Sequence, residues 1–172
     1  MTLANRVTML RLILVPLFVF FVLRPWGPGY YLAAGLFVLA AATDGLDGYL
    51  ARRRAEVSGL GKLLDPLVDK LLVTTALVLL VQMHLVPGWA VVLIIGREFL
   101  ISGLRQVAAG EGLILAASYW GKIKTLAQVI AVVALLVGIP WALLILYGAL
   151  ALTLISGFHY FFLNRELLYR LG

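Results

Sequence analysis

Asp44-Gly45-Leu46-Asp47-Gly48-Tyr49-Leu50-Ala51-Arg52, followed after a basic stretch by Gly61-Lys62-Leu63-Leu64-Asp65-Pro66-Leu67-Val68-Asp69-Lys70, decides how this chain folds. The two runs lie at the facing ends of two apolar segments, about Tyr30 to Leu50 and Leu63 to Met83, each long enough to form a spanning helix. On the first helix Asp44 and Asp47 are three residues apart, and on the second Asp65 and Asp69 are four apart, so each pair shares one helical face. The basic turn between them makes the helices antiparallel neighbours. Both pairs then reach the same depth, and four carboxylates can converge on one small volume.

Working outward, further apolar segments run from about Val7 to Leu23, Trp89 to Leu104, Tyr119 to Val137 and Trp141 to Leu163. Breakers separate them: Gly27-Pro28-Gly29, Pro87-Gly88, and Gly138 with Pro140. The 172 residues are 63% hydrophobic and have a mean hydropathy of +1.07, well above the roughly 45–50% apolar usage of soluble domains. The expected fold is an all-α integral membrane protein, a single domain over 1–172 with six transmembrane helices. Arg24, Pro25 and Trp26 after the first segment do not resemble a signal cleavage site, so that segment is read as a retained helix.

Charge gives the orientation. Arg52, Arg53, Arg54 and Lys62 flank the second gap, Arg105, Lys122 and Lys124 the fourth (about Gln106 to Ser118, expected along the interface), and Arg165 and Arg170 mark the tail. The opposite gaps hold only Arg24 and His84, so the positive-inside rule puts both termini and the aspartates on the cytoplasmic side. The net charge of +6 sits at the ends of apolar runs, which points to lipid headgroups or phosphorylated substrates and away from nucleic acid. The absence of cysteine excludes disulfides, thiolate nucleophiles and zinc-thiolate sites.

Four converging carboxylates repel one another unless cations compensate. Asp44, Asp47, Asp65 and Asp69 are therefore read as metal ligands. An all-oxygen set suits Mg2+ or Mn2+, and two such ions balance the formal charge. Gly48 and Ala51 keep that face open to a neighbouring backbone or a bulky headgroup. Plainer alternatives exist. Asp65 before Pro66 could be a helix N-cap, Asp44 and Asp47 could pair with Arg52, Arg53 and Arg54 could serve only topology, and Lys70 could snorkel to the interface.

Asp44, Asp47, Gly48, Ala51, Arg52, Gly61, Asp65 and Asp69 match the signature of the CDP-alcohol phosphotransferase family without a mismatch. The resemblance implies a six-helix homodimeric membrane enzyme with a two-metal site that transfers a phosphatidyl group from CDP-diacylglycerol. In the family the last aspartate, here Asp69, is the catalytic base. Thr43, Gly48, Arg52 and Gly61, with Thr8 and Arg11 of the first helix, are the corresponding candidates for holding the CDP-diacylglycerol. A narrower resemblance, carried by Asn5 to Arg11, Gly96-Arg97-Glu98 with Arg105, and Trp120 to Thr125, is to a bacterial branch that uses glycerol 3-phosphate as acceptor. It implies a multi-pass enzyme of the bacterial cytoplasmic membrane.

An acceptor that is a phosphate monoester needs cations beyond the metals, and Arg97, Arg105, Lys122 and Lys124 can supply them. Arg97 follows the apolar run Val91 to Ile95, where an unpaired guanidinium is costly. Its plainer reading is a pair with Glu98 or an aspartate. The plainer reading of the other three is ordinary cytoplasmic flank charge. Other acceptors, such as serine, an inositol phosphate or phosphatidylglycerol, stay open, and so does a divalent-cation transporter. The clustering of acids at one membrane face argues against a transport pathway.

Overall fold

A computed structural model describes residues 3–24, 28–54, 59–110 and 119–164, with the side chains of residues 3–8, 44–67 and 69 outside the description. Among the described residues it is all helix: α1 (Leu3–Leu23), α2 (Gly29–Arg54), α3 (Gly59–Gln82), α4 (Gly88–Gly110), α5 (Tyr119–Val137) and α6 (Ala142–Leu163). The six predicted segments are present, and four boundaries move, the first being the start of α1, at Leu3 and not Val7. The second basic cluster, Arg52 to Arg54, is the last turn of α2 and not a turn between helices. The run Gln106 to Gly110, expected in a gap, continues α4, because its alanines favour helix once the apolar stripe has ended. Asp65 falls inside α3, well after Gly59, which removes the N-cap reading. The remainder of the fourth gap, Glu111 to Ser118, and the tail charges Arg165 and Arg170 lie outside the described residues.

The core is one cluster drawn from all six helices, with two centres of packing. Around α1, α2 and α3, Phe18 (1% exposed) meets Phe37 (0%) with ring centroids 5.6 Å apart, seated among Ala33, Ala40 and Ala76. Around α5 and α6, Ala131, Val132, Leu146 and Ala149 are fully buried. Alanine recurs at these contacts because, in a lipid-like environment, close backbone approach supplies the packing that differential hydrophobicity cannot. The α2–α5, α3–α5, α3–α4 and α4–α6 contacts join the two centres.

Large apolar side chains also point outward from every helix, among them Ile13, Tyr31, Val78, Val92, Leu126 and Phe158. An apolar perimeter of this extent is unsuited to water. Helices α5 and α6 are long and apolar enough to cross a bilayer, and less than half of each is buried. Met9–Leu23, Gly29–Thr43 and Lys70–Gln82 are shorter apolar stretches within the other helices.

Helices α3 and α5 end in the same way. His84 N–H donates to Val81 O (2.9 Å) and Leu85 N–H to Leu80 O (3.0 Å), while Gly138 N–H donates to Leu135 O (3.2 Å) and Ile139 N–H to Ala134 O (2.9 Å). These are Schellman motifs, which require a left-handed residue just past the helix. Gly138 (φ 78°) adopts that conformation freely, whereas His84 (φ 58°) does so against the steric preference of an L-residue. A proline, Pro87 or Pro140, follows within three residues of each and prevents continuation.

Candidate active site

Every functional candidate on α2 to α6 falls at the other end of the bundle, where α2, α4 and α6 finish and α3 and α5 begin. A cavity of roughly 730 Å³ opens there between these five helices. Val38, Ala41 and Ala42 line it from α2, Lys70, Val73 and Leu77 from α3, and Arg97, Glu98 and Arg105 from α4. Gly121, Lys122 and Lys124 line it from α5, and Tyr160 from α6.

The aspartate side chains lie outside the described residues, but helical register places the positions. Residues 65 and 69 precede Val73 and Leu77 at four-residue steps, on the α3 face that lines the cavity. Residue 44 follows the lining residue Ala41 by three, and residue 47 continues that step. The four positions thus continue the cavity-lining stripes of α2 and α3 along their helices. Among the described residues no group of three or more histidines, aspartates or glutamates is placed to hold a metal ion. An all-carboxylate donor set fits a hard divalent cation.

The cationic candidates converge in the cavity. Arg97 Nη1 donates to Glu98 Oε1 (3.3 Å), Arg97 Nη2 donates to Ser156 Oγ (2.9 Å), and Lys124 Nζ is hydrogen-bonded to the same Glu98 oxygen. All three side chains are largely withdrawn from solvent, at 11%, 18% and 7% exposure for Arg97, Glu98 and Lys124. The expected Arg97–Glu98 pair is therefore present, and it carries a third member, Lys124. Arg105 Nε donates to Tyr160 Oη (3.2 Å), and the guanidinium carbon lies 5.1 Å from the Tyr160 ring centroid. Lys122 is exposed at the rim.

Other candidates are placed differently. Thr43 donates its hydroxyl to Leu39 O (2.6 Å) within α2, at the edge of the aspartate turn. Arg11 is 4% exposed within α1 and does not line the cavity. Thr8, Gly48, Arg52 and Gly61 are helical positions whose side-chain surroundings lie outside the description. Ser156, Gly157 and Tyr160, which sequence reasoning passed over, form the α6 side of the cation cluster. Their signal was a polar residue at 156 and at 160, one turn apart and in step with Thr153 on a largely apolar helix.

The family model for CDP-alcohol phosphatidyltransferases matches residues 1–155, and the chain belongs to that family. It is thus a transferase of a membrane enzyme family whose members generally depend on a divalent metal. Among its relatives, proteins named CDP-diacylglycerol–glycerol-3-phosphate 3-phosphatidyltransferase occur in several bacteria. The one from Bacillus subtilis (strain 168) is 46% identical, with 96% of each chain covered. Those from Pseudomonas fluorescens and Haemophilus influenzae are 42% and 38% identical, covering 84% and 89% of this chain and 78% and 88% of their own.

Proposed function

We propose that this chain transfers the phosphatidyl group of CDP-diacylglycerol to glycerol 3-phosphate, forming phosphatidylglycerol phosphate and CMP. The observation that carries the choice of a phosphorylated acceptor is the charge of the cavity, and the names of the relatives favour glycerol 3-phosphate among such acceptors. Lys70, Arg97, Arg105, Lys122 and Lys124 line it against a single described acid, Glu98. A phosphate monoester beside a lipid bilayer needs such a set, whereas serine does not.

Asp44, Asp47, Asp65 and Asp69 would hold two Mg2+ or Mn2+ ions, which when bound neutralise the diphosphate of CDP-diacylglycerol and the charge developing on CMP. Thr43, Gly48, Arg52 and Gly61 border the nucleotide, and Thr8 approaches it from α1, whereas Arg11, buried within α1 and outside the cavity lining, does not contact it. Arg97, Arg105, Lys122 and Lys124 orient the acceptor phosphate so that its free hydroxyl faces the phosphorus bearing diacylglycerol. Asp69 accepts the hydroxyl proton as the new oxygen–phosphorus bond forms and the bond to the CMP oxygen breaks. The acyl chains stay in lipid alongside the exposed apolar faces. In this reading all six helices span the cytoplasmic membrane of a bacterium, the cavity and both termini face the cytoplasm, and the enzyme works as a homodimer.

The test is CMP release by purified protein in detergent with CDP-diacylglycerol and Mg2+, comparing glycerol 3-phosphate, serine, inositol phosphate and no acceptor. Release that requires glycerol 3-phosphate and disappears in Asp69→Asn is the expected result. Release with a different acceptor would overturn the substrate, and no release with any of them would point to an untested alcohol or, against the family assignment, to cation transport.

A further inference from the structure

Ser156, Gly157 and Tyr160 are buried on α6 and, with Thr153, form one stripe at the i, i+3, i+4, i+7 spacing of a single helical face. Both α4 arginines rest on this stripe. Ser156 donates its hydroxyl to Thr153 O (2.9 Å), so its lone pairs are what remain to receive Arg97 Nη2 at 2.9 Å. Gly157 fits beneath the same side chain, since a Cβ there would stand 3.1 Å from both Cγ and Nε of Arg97. Arg97 cannot yield freely to such an atom, because its two terminal nitrogens are tied to Glu98 and Ser156. Its buried Nε has no hydrogen-bond partner among the described residues, so the bonds to Glu98 and Ser156 fix the fork. One turn further along α6, Tyr160 accepts from Arg105 Nε and supports that guanidinium with its ring.

We infer that this α6 stripe is the positioning wall of the acceptor site: Ser156, Gly157 and Tyr160 set where the Arg97 and Arg105 forks stand and so control affinity for the acceptor phosphate. The inference rests on the reading above, in which those arginines receive the acceptor. A planar guanidinium grips phosphate strongly only in the correct orientation. Side chains held in place before binding lose less rotamer freedom when the ligand arrives. Tyr160 occupies Nε of Arg105, a cavity-lining residue, so its two terminal nitrogens are the donors that would meet a phosphate.

The experiment uses the full-length enzyme and its variants Ser156→Ala, Tyr160→Phe and Gly157→Ala. The readouts are KM for glycerol 3-phosphate, KM for CDP-diacylglycerol, kcat, inhibition by inorganic phosphate competing with the acceptor, and thermal stability. Loss of one hydrogen bond to a charged group should raise the acceptor KM and the phosphate Ki by about 5- to 20-fold. KM for CDP-diacylglycerol should change by less than about twofold, in keeping with a local effect. Tyr160→Phe keeps the ring and the fold, so it decides the matter if Gly157→Ala fails to fold. Unchanged acceptor KM and Ki in Ser156→Ala and Tyr160→Phe would overturn the positioning role while leaving the reaction intact. An equal rise in both substrates' KM with lowered thermal stability would reduce the stripe to packing. A wild-type enzyme that releases CMP without regard to glycerol 3-phosphate would overturn the acceptor assignment itself, and the wall with it.

Discussion

Replacing Glu98 with Gln would remove the one acid described in the cavity lining and leave Arg97 and Lys124 facing each other without a counter-charge. Glu98 Oε1 accepts from both, and the three side chains are between 7% and 18% exposed, so water can compensate only in part. Deleting one partner of a buried ion pair typically costs about 3–5 kcal/mol, mainly because of the charge left behind. The residual exposure here places the expectation near the lower end, about 3 kcal/mol. Lys124→Met in the same background would withdraw one orphaned cation and restore about 1–2 kcal/mol, since residues sharing a partner couple strongly. The assay is equilibrium unfolding of the purified protein in mixed micelles for wild type, both single variants and the double variant. A loss below about 1 kcal/mol in Glu98→Gln, the range of exposed surface pairs, or strictly additive losses in the cycle, would refute the shared-carboxylate reading.

Further outcomes are expected. His84→Gly should stabilise the protein by about 0.5–1 kcal/mol by relieving a left-handed L-residue, and Gly138→Ala should destabilise it by about 1 kcal/mol, both read as midpoint shifts in the same unfolding assay. Gln128 Nε2 donates to Thr153 Oγ1 (3.0 Å), and Thr153 keeps its bond to Ala149 O (2.6 Å) when that donor is lost. Gln128→Leu should therefore cost only about 0.6 kcal/mol, and a loss above about 2 kcal/mol would mean that the glutamine does more than join α5 to α6. Asp69→Asn should lower CMP release by at least about 100-fold without shifting the unfolding midpoint. EDTA should abolish release in the wild type, with recovery on adding Mg2+.

Much of the molecule was legible in the chain because membrane helices and carboxylate spacing are local properties. Apolar runs bounded by Gly-Pro breakers delimited six helices, and α5 was obtained to the residue. The three- and four-residue spacings of Asp44, Asp47, Asp65 and Asp69 defined a shared face before any packing was known. The ends of α2 and α4 were less legible. Hydropathy stops reporting where the helix leaves the apolar layer, yet Arg52 to Arg54 and Gln106 to Gly110 remain good helix formers.

What the sequence determined by itself was the order of the helices and the family to which the chain belongs. Only the tertiary structure decided which cations share a partner and what holds them. Arg97 meets Ser156 across 59 positions of chain, and Lys124 meets Glu98 across 26. Ser156 and Tyr160 carry no charge and sit in an apolar helix, so nothing local separates them from ordinary packing residues. Their role comes from the α4–α6 contact, and side-chain pairing across a helix interface depends on rotation and depth, which short-range spacing does not encode.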